Sequence, residues 1–297
     1  MKSSPCPWCS GVQVFLYDVV DENRRVSEER FPYQRCSSCG VISLAEPPPG
    51  LSRYYQSDYY EIPTVEKLRA IAAKNPGRLE TVQQFLRSGR LLEIGPAFGT
   101  FAWQAKQAGF VVDVIEMDSA CCDYLRHSVG VQVTQSDSPH RAMMALPQHE
   151  VIAIWHVLEH LSEPLAFLKA AGENLVPGGI LVVAMPNPNA FQFKLMGRQW
   201  PHLDAPRHFT LIPADILTQK MSELGLQRVY LTSDDADARS WNRFGWMRLL
   251  MNRFPWKLMQ LAMLIPGYAL SFIMSPLDRR DFSGSAYTVV FRKGPRR

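Results

Sequence analysis

Histidine, glutamate and cysteine side chains fall in tight groups in this 297-residue sequence, and those groups could do chemistry. His156, Glu159 and His160 stand at i, i+3 and i+4 in WHVLEH, so one helical turn would present all three together. His202 and His208 lie with Arg207 in WPHLDAPRH, residues 200–208. Groups of this type can take a proton from an acceptor hydroxyl, hold a divalent ion, or cap and brace a loop. Cys6 with Cys9, and Cys36 with Cys39, form two C-x-x-C pairs. Four thiolates at that spacing close a tetrahedral Zn²⁺ site and leave no open position, so a zinc there would be structural.

Elements must bring such groups together, and residues 91–99, LLEIGPAFG, supply the first of them. An apolar strand enters a glycine-bounded turn, a helix follows, and Glu116 in VVDVIEMD closes the next strand about twenty residues on. That arrangement describes a pocket for a nucleoside-bearing cofactor. A dinucleotide fingerprint needs a middle glycine so that backbone can approach a pyrophosphate at the helix N-terminus. Here Pro96 and Ala97 fill the centre between Gly95 and Gly99. The spacing therefore points away from a pyrophosphate and towards S-adenosylmethionine (SAM). The amino-acid end of SAM needs only a tight turn, free amides and a nearby carboxylate such as Glu93.

These residues resemble the class I SAM-dependent methyltransferases. The resemblance continues through VIAIWHVLEHLSEPLAFLKAAGENLVPGGILVVAMPNP, residues 151–188, which looks like the fourth strand, following helix and fifth strand of that family. It covers roughly residues 75–235 and returns at the last strand. It implies a doubly wound, mostly parallel α/β sheet with the last strand antiparallel. It also implies a SAM site built from Glu93, Gly95, Pro96, Ala97, Gly99, Glu116, Met117, Asp137 and His156. Catalytic candidates are His160, His208, His156 and Glu159. HVLEH is similar to the E-V-x-E-H element with which some RNA-end and quinone-precursor O-methyltransferases bind a divalent ion, but His156 stands where those families have a Glu.

Cysteine usage and composition frame the rest. A hydrophobic share of 46% against 20% charged residues describes a globular chain and argues against disorder. The net charge of +4 is slight and carries no strong basic run, which argues against nucleic acid as partner. MKSSPCPWCS reaches a cysteine pair before any apolar run, so a cytoplasmic, reducing location is expected. Twenty-six residues separate Cys9 from Cys36, enough for a hairpin with strands in VQVFLYDVV and FPYQR. The expected metal ligands are Cys6, Cys9, Cys36 and Cys39 of a zinc ribbon over residues 1–45. Zinc-binding modules of this layout accompany some methyltransferases that act on sugars, polysaccharides or natural products, which the chain resembles. Cys121 and Cys122 read as packing residues.

Residues 46–63 form a linker opened by Glu46-Pro47-Pro48-Pro49-Gly50, followed by Tyr54, Tyr55, Tyr59 and Tyr60, a candidate lid over the cofactor. Residues 64–235 are the expected SAM-binding domain. Helix is predicted over 64–88 with a break at Pro76-Gly77, then strands and helices alternate: helix 100–108, strand 110–116, helix 119–128, strand 131–135, strand 151–155. Helix 163–175 with Ser162 as N-cap, strand 180–185, helix 213–224 and strand 226–232 continue the series. Residues 236–284 are an insertion, and 285–297 hold the last strand and tail. The insertion contains LMQLAMLIPGYALSFIMSPL, residues 258–277, with no charge over twenty residues, flanked by Lys257 and Arg279-Arg280. Such a length can span a bilayer, but Pro266-Gly267 in its centre predicts two short helices. A cap over the site, a homodimer contact and a peripheral membrane contact are the roles it suits.

The function expected from these features is methyl transfer from SAM to a hydroxyl, in preference to a carbon or amine, of a small-molecule or glycan-type acceptor. One alternative is an RNA methyltransferase that grips RNA with the ribbon, as zinc-bearing rRNA base methyltransferases have a similar layout. WHVLEH differs, however, from the N-P-P-Y loop used on exocyclic base amines. A non-catalytic SAM-binding scaffold is the alternative from another class.

Overall fold

The structure, a computed structural model, describes residues 5–55 and 61–295. The chain opens with strands β1 (Gln13–Val19), β2 (Phe31–Cys36) and β3 (Ile42–Leu44). Helices α1 (Val65–Lys74) and α2 (Gly77–Gln83) follow, parted at Pro76, which cannot donate a backbone hydrogen bond to continue α1. The alternating run is β4 (Arg90–Ile94), α3 (Thr100–Gln107), β5 (Val111–Glu116), α4 (Ser119–Tyr124), β6 (Gln132–Gln135), α5 (Pro139–Met143) and β7 (His149–Trp155). It continues with α6 (Pro164–Asn174), β8 (Leu175–Pro186), α7 (Phe191–Met196), β9 (Thr210–Leu211), α8 (Ala214–Glu223) and β10 (Leu226–Thr232). Three helices, α9 (Ala236–Met251), α10 (Lys257–Ala262) and α11 (Leu264–Asp278), precede the last strand, β11 (Ala286–Lys293).

Seven strands form the central sheet in the order β10-β11-β8-β7-β4-β5-β6. The five from β8 to β6 are parallel, whereas β11 is inserted antiparallel between β8 and β10. Alternation along the strands explains the two covered faces. Val151, Ala153 and Trp155 of β7 and Ile180, Val182 and Ala184 of β8 join one core cluster with residues of α1–α3. Ile152, Ile154, Leu181, Val183 and Met185 join a second cluster, with residues of α6 and α8, on the opposite face. Burial of each large aliphatic side chain stabilises the fold by about 1.5–3 kcal/mol, so period 2 with both faces apolar selects the doubly wound sheet.

Three boundaries differ from the sequence expectation, each for a local reason. Strand β8 begins at Leu175, because Pro177-Gly178-Gly179 is absorbed as an irregularity between the pairs His149–Leu175 and Val151–Ile180. Helix α6 starts from Glu163 as its N-cap, with Pro164 at the first helical position, instead of from Ser162. The break in the apolar insertion falls at Met263, not at Pro266-Gly267. Pro266 sits in the first turn of α11, where its missing N–H has no helical acceptor to lose.

The cysteine-bearing strands join a second, four-stranded antiparallel sheet in the order β1-β2-β3-β9. Its fourth strand, β9, comes from the far side of the chain, pairing Ile42 with Leu211 and Ser43 with Thr210. Phe31, Tyr33, Ile42 and Leu44 share a hydrophobic cluster with Trp200, Leu203 and Trp246. The ribbon therefore packs as a wall of the main body.

Candidate active site

The turn after β4 owes its shape to residues that tolerate left-handed backbone. Gly95 has φ +64° and Gly99 has φ +80°; a Cβ on Gly95 would stand 2.6 Å from Val157, and one on Gly99 would stand 2.5 Å from Leu125. Ala97 in the centre of the turn also lies at φ +52°. Its amide donates to Glu116 Oε2 at 3.0 Å, while Glu116 Oε1 accepts from the amides of Met117 at 2.8 Å and Asp118 at 2.9 Å. Glu116 thus ties the ends of β4 and β5 together and keeps one lone pair, on Oε2, for a ligand.

A cavity of about 860 Å³ opens beside this turn, and Glu93, Gly95, Pro96, Ala97, Glu116, Met117 and Asp137 line one end of it. Gly99 is absent from that lining and acts as the N-cap of α3. Glu93 is buried with one carboxylate oxygen, Oε2, lacking a hydrogen-bond partner. Burial pushes its carboxyl up to about 8, against the pull of the Arg78 cation.

At the other end, the chain leaves β7 through a sharp reversal. His156 sits at φ +56°, and its amide donates to the carbonyl of Ala184 at 2.9 Å. The expected single helical turn is therefore broken at its first member, with only Leu158–His160 forming a 3₁₀ turn. His156 still lies beside Glu159, at 3.7 Å from Nδ1 to Oε1, but its hydrogen bond goes elsewhere. Nε2 donates to Asp237 Oδ2 at 2.5 Å, and Arg78 holds the other oxygen of Asp237 at 2.8 Å. Arg78 also lies over the Trp155 ring, 5.1 Å from its centroid. Burial pulls the His156 imidazole down, yet Asp237 and Glu159 reverse this and hold it up at about 9. His156 is thus a cation at neutral pH, unsuited to accept a proton.

His160 has the opposite character. Burial and the adjacent His208 pull it down to about 4, so it is neutral. Its Nδ1 lies 3.0 Å from the carbonyl of Arg207, which can only accept, so the proton sits on Nδ1 and Nε2 keeps its lone pair. The Tyr55 hydroxyl lies 3.0 Å from the same Nδ1. His208 is fixed in the same way, Nδ1 against the carbonyl of His202 at 2.8 Å, and its ring meets His160 at 4.5 Å between centroids. Between them Glu159 is 1% exposed, and neither carboxylate oxygen has a hydrogen-bond partner. One donor atom each from Glu159, His160 and His208 lies within 4.8 Å of the others. A buried carboxylate beside the Nε2 lone pair of His160 is a place for a cation, either a proton in transit or a divalent ion.

Other candidates have structural duties. Arg207 is fully buried and points away from the cavity, pairing with Asp21 of the ribbon at 2.6 Å and with Asp204 at 2.8 Å. Asn187 is buried and donates to the carbonyls of Phe282 and Gly284, holding the entry to β11. Tyr54 is buried against Phe31, whereas Tyr55 reaches the cavity; Tyr59 and Tyr60 of the candidate lid lie outside the described residues. The site residues that sequence patterns did not single out are Arg78, Asp237 and Trp241, together with Asn23 and Arg24 from the ribbon, all on the cavity wall or bonded to it. Asp237 follows the N-cap Asp235 of α9, but nothing local marks it as the partner of a histidine 81 positions away.

In the ribbon, Sγ of Cys6 lies 3.7 Å from that of Cys39, and Sγ of Cys9 lies 3.4 Å from that of Cys36. All four sulfurs fall within 4.8 Å of one another and all four cysteines are free. Zinc–sulfur bonds of about 2.3 Å in a tetrahedron place sulfurs about 3.8 Å apart, far beyond the disulfide length of about 2.05 Å. Cys121 and Cys122 are fully buried packing residues, as expected.

Comparison with known proteins agrees with this architecture. The profile of the methyltransferase-domain family matches residues 65–231, and the chain belongs to that family. The fold is similar to the crystal structure of a SAM-dependent methyltransferase from Archaeoglobus fulgidus. That likeness has a TM-score of 0.51 and 16% identity, and covers 76% of this chain and 94% of the other. Curated relatives include the ubiquinone biosynthesis O-methyltransferase of Cereibacter sphaeroides, 25% identical over an alignment of 156 positions that covers 45% of this chain and 62% of that protein. The protein of the same name from Dinoroseobacter shibae is 26% identical over an alignment of 171 positions that covers 54% and 68% of the two chains. The chain therefore spans about three-fifths of the length of the first of these relatives. SAM is the cofactor that family membership implies, and the residues fit it. The turn at Gly95–Ala97, the unpaired buried oxygen of Glu93 and the spare lone pair of Glu116 answer its cationic and hydroxyl-bearing ends.

Proposed function

We propose that this protein transfers a methyl group from SAM to a hydroxyl of a small-molecule or glycan-type acceptor. The observation that carries the reading is His160: neutral, its Nδ1 proton committed to a carbonyl, and its Nε2 lone pair free on the wall of the cavity that Glu93 and Glu116 also line. SAM supplies, when bound, a methyl already activated by its sulfonium. The chain then has to align the acceptor, exclude water and receive the proton that the hydroxyl gives up as the oxygen–methyl bond forms. His160 Nε2 receives that proton, and Glu159 stabilises the imidazolium that results, so one charge is created beside one already waiting. His156 and Asp237 hold the loop after β7 in place. The O-methyltransferase names of the curated relatives favour a hydroxyl acceptor. We further propose Zn²⁺ on Cys6, Cys9, Cys36 and Cys39 as a structural ion, and a cytoplasmic enzyme.

A second reading has its own observation. Glu159, His160 and His208 offer a compact donor set for a divalent ion that would polarise the acceptor oxygen.

Calorimetric titration with SAM is the first test, with binding expected; no heat and no thermal shift would remove both readings. With an acceptor found by screening phenols and sugars, His160→Gln is expected to lower kcat by about 10²–10⁴ while the affinity for SAM is unchanged. Activity after mild chelation that leaves one zinc per chain on the four cysteines separates the two readings. Full activity under that treatment supports the base, and restoration only by added Mg²⁺ or Mn²⁺ supports the ion.

A further inference from the structure

Helices α10 and α11 leave an apolar face without any covering among the described residues. No residue of α10 is buried, and of α11 only Gly267, Ser271 and Asp278 are. Gly267 and Asp278 anchor α11 to α9. Gly267 approaches the backbone of Met247 so closely that a Cβ would stand 2.8 Å away, and Asp278 accepts from the indole of Trp246 at 2.7 Å. Outward, Leu258 is 79% exposed, Ile265 81% and Ile273 72%, with Trp256, Leu261 and Phe272 also exposed. Residues 257–278 have a mean hydropathy of 1.5 over their most apolar window, long enough by composition to cross a bilayer. Crossing is at odds with the packing, because α11 would have to leave α9 and carry Asp278 with it.

Charge selects the occupant of this face. Between Asp237 and Asp278 there is no acidic residue, whereas Arg243, Arg253 and Lys257 are basic. Arg279 and Arg280 flank the far end of α11, paired with Asp234 and Asp281 respectively. Exposed Trp256 and Tyr268 sit among these bases, and the Arg243 guanidinium lies over the Tyr268 ring at 5.2 Å. A symmetric contact between two copies would set this basic rim against itself. An anionic bilayer surface instead accepts apolar side chains below the headgroups, aromatic rings at their level and basic side chains among the phosphates. We propose that α10 and α11 form a monotopic docking surface for anionic membranes. Helix α9 connects this surface to the active site, since Trp241, Phe244 and Arg248 line the cavity on one side while α11 packs on another. Docking would hold the cavity next to the bilayer and favour acceptors that are amphiphilic, a consequence that rests on the proposed methyl transfer; the docking itself does not.

The test is sedimentation of the full chain with vesicles of phosphatidylcholine alone or mixed with phosphatidylglycerol. The expected result is pelleting with the mixed vesicles, weaker pelleting with phosphatidylcholine, and release by salt. Ile265→Asp with Phe272→Asp is expected to weaken binding by about tenfold or more, and Arg253→Gln with Lys257→Gln to bring it down to the phosphatidylcholine level. Unchanged melting temperature and unchanged heat of SAM binding in both double variants would show that they are folded. The proposal is overturned if the wild-type chain stays in the supernatant with both vesicle types. A dimer that Ile265→Asp with Phe272→Asp converts to monomer, without vesicle binding, would assign the face to a second copy instead. Failure of SAM binding with intact vesicle binding would sink the proposed function and leave the docking surface standing.

Discussion

At the scale of single residues, the two ends of the cavity hold their charges differently, and the difference can be measured. Glu93 carries a proton at neutral pH because burial lifts its carboxyl to about 8. Under the proposed pairing of Glu93 with the ammonium of SAM, which requires the carboxylate, binding releases that proton. Titrations at pH 7 in buffers of different ionisation enthalpy are expected to report release of close to one proton per SAM. Glu93→Gln should abolish the release and weaken binding; a release that persists in the variant would assign the proton to another group. The places of Glu93 and Glu116 beside the glycine turn were legible in the sequence, because a strand-end carboxylate at a set distance from such a turn is a local pattern. The opposite protonation of His156 and His160 was not legible, since both stand in the same hexapeptide. Only the surroundings separate them: Asp237 and Glu159 outweigh burial at His156, whereas burial and His208 prevail at His160.

At the scale of elements, α9 is fastened to the loop after β7 by one buried ion pair. Asp237 lies between His156 and Arg78, which together hold its carboxyl well below the usual range in spite of burial. Asp237→Ala would leave the nearly buried His156 without its carboxylate and the partly exposed Arg78 without its partner, and a loss of about 1–3 kcal/mol is expected, read by urea denaturation near pH 6.5. The sign of the pH dependence follows from His156. Its folded pKa of about 9 is above its ordinary value of about 6.5, so the pair contributes fully below pH 6.5 and its contribution is lost as pH rises through 9. Wild-type stability should therefore fall between those limits, and that of the variant should change less; parallel curves would show that the pair carries no linkage. Helix α9, Ala236–Met251, was legible in the sequence only as part of an insertion, not as a helix of its own. Its meeting with the loop after β7 was not legible, because periodicity says which face of a helix is apolar and nothing of which distant residue it meets.

Across the whole molecule, the ribbon and the sheet behave as one body. Strand β9 completes the ribbon's sheet, Asp21 of the ribbon neutralises the fully buried Arg207, and Asn23 donates to Asp204 at 2.6 Å. Sequence alone places a boundary at residues 46–50, where prolines interrupt the chain; the tertiary contacts run across it. Removal of zinc by a strong chelator is accordingly expected to lower the melting temperature of a single calorimetric transition and to reduce methyl transfer. Two transitions, with the larger one unmoved, would show an independently folding ribbon. Asp21→Ala should mimic the effect with zinc still bound, since it strands the guanidinium of Arg207 in the core.

By itself the sequence determined the class of fold, the cofactor turn, the four-cysteine module and the apolar insertion. Each of these is written in spacing and periodicity along a continuous stretch of chain. Tertiary structure decided which histidine is charged and which is neutral, that Arg207 pairs with the ribbon's Asp21, and that Arg78 and Asp237 stand together at the cavity. Those outcomes depend on burial and on distances of a few ångströms between residues scores of positions apart, and no local pattern encodes them.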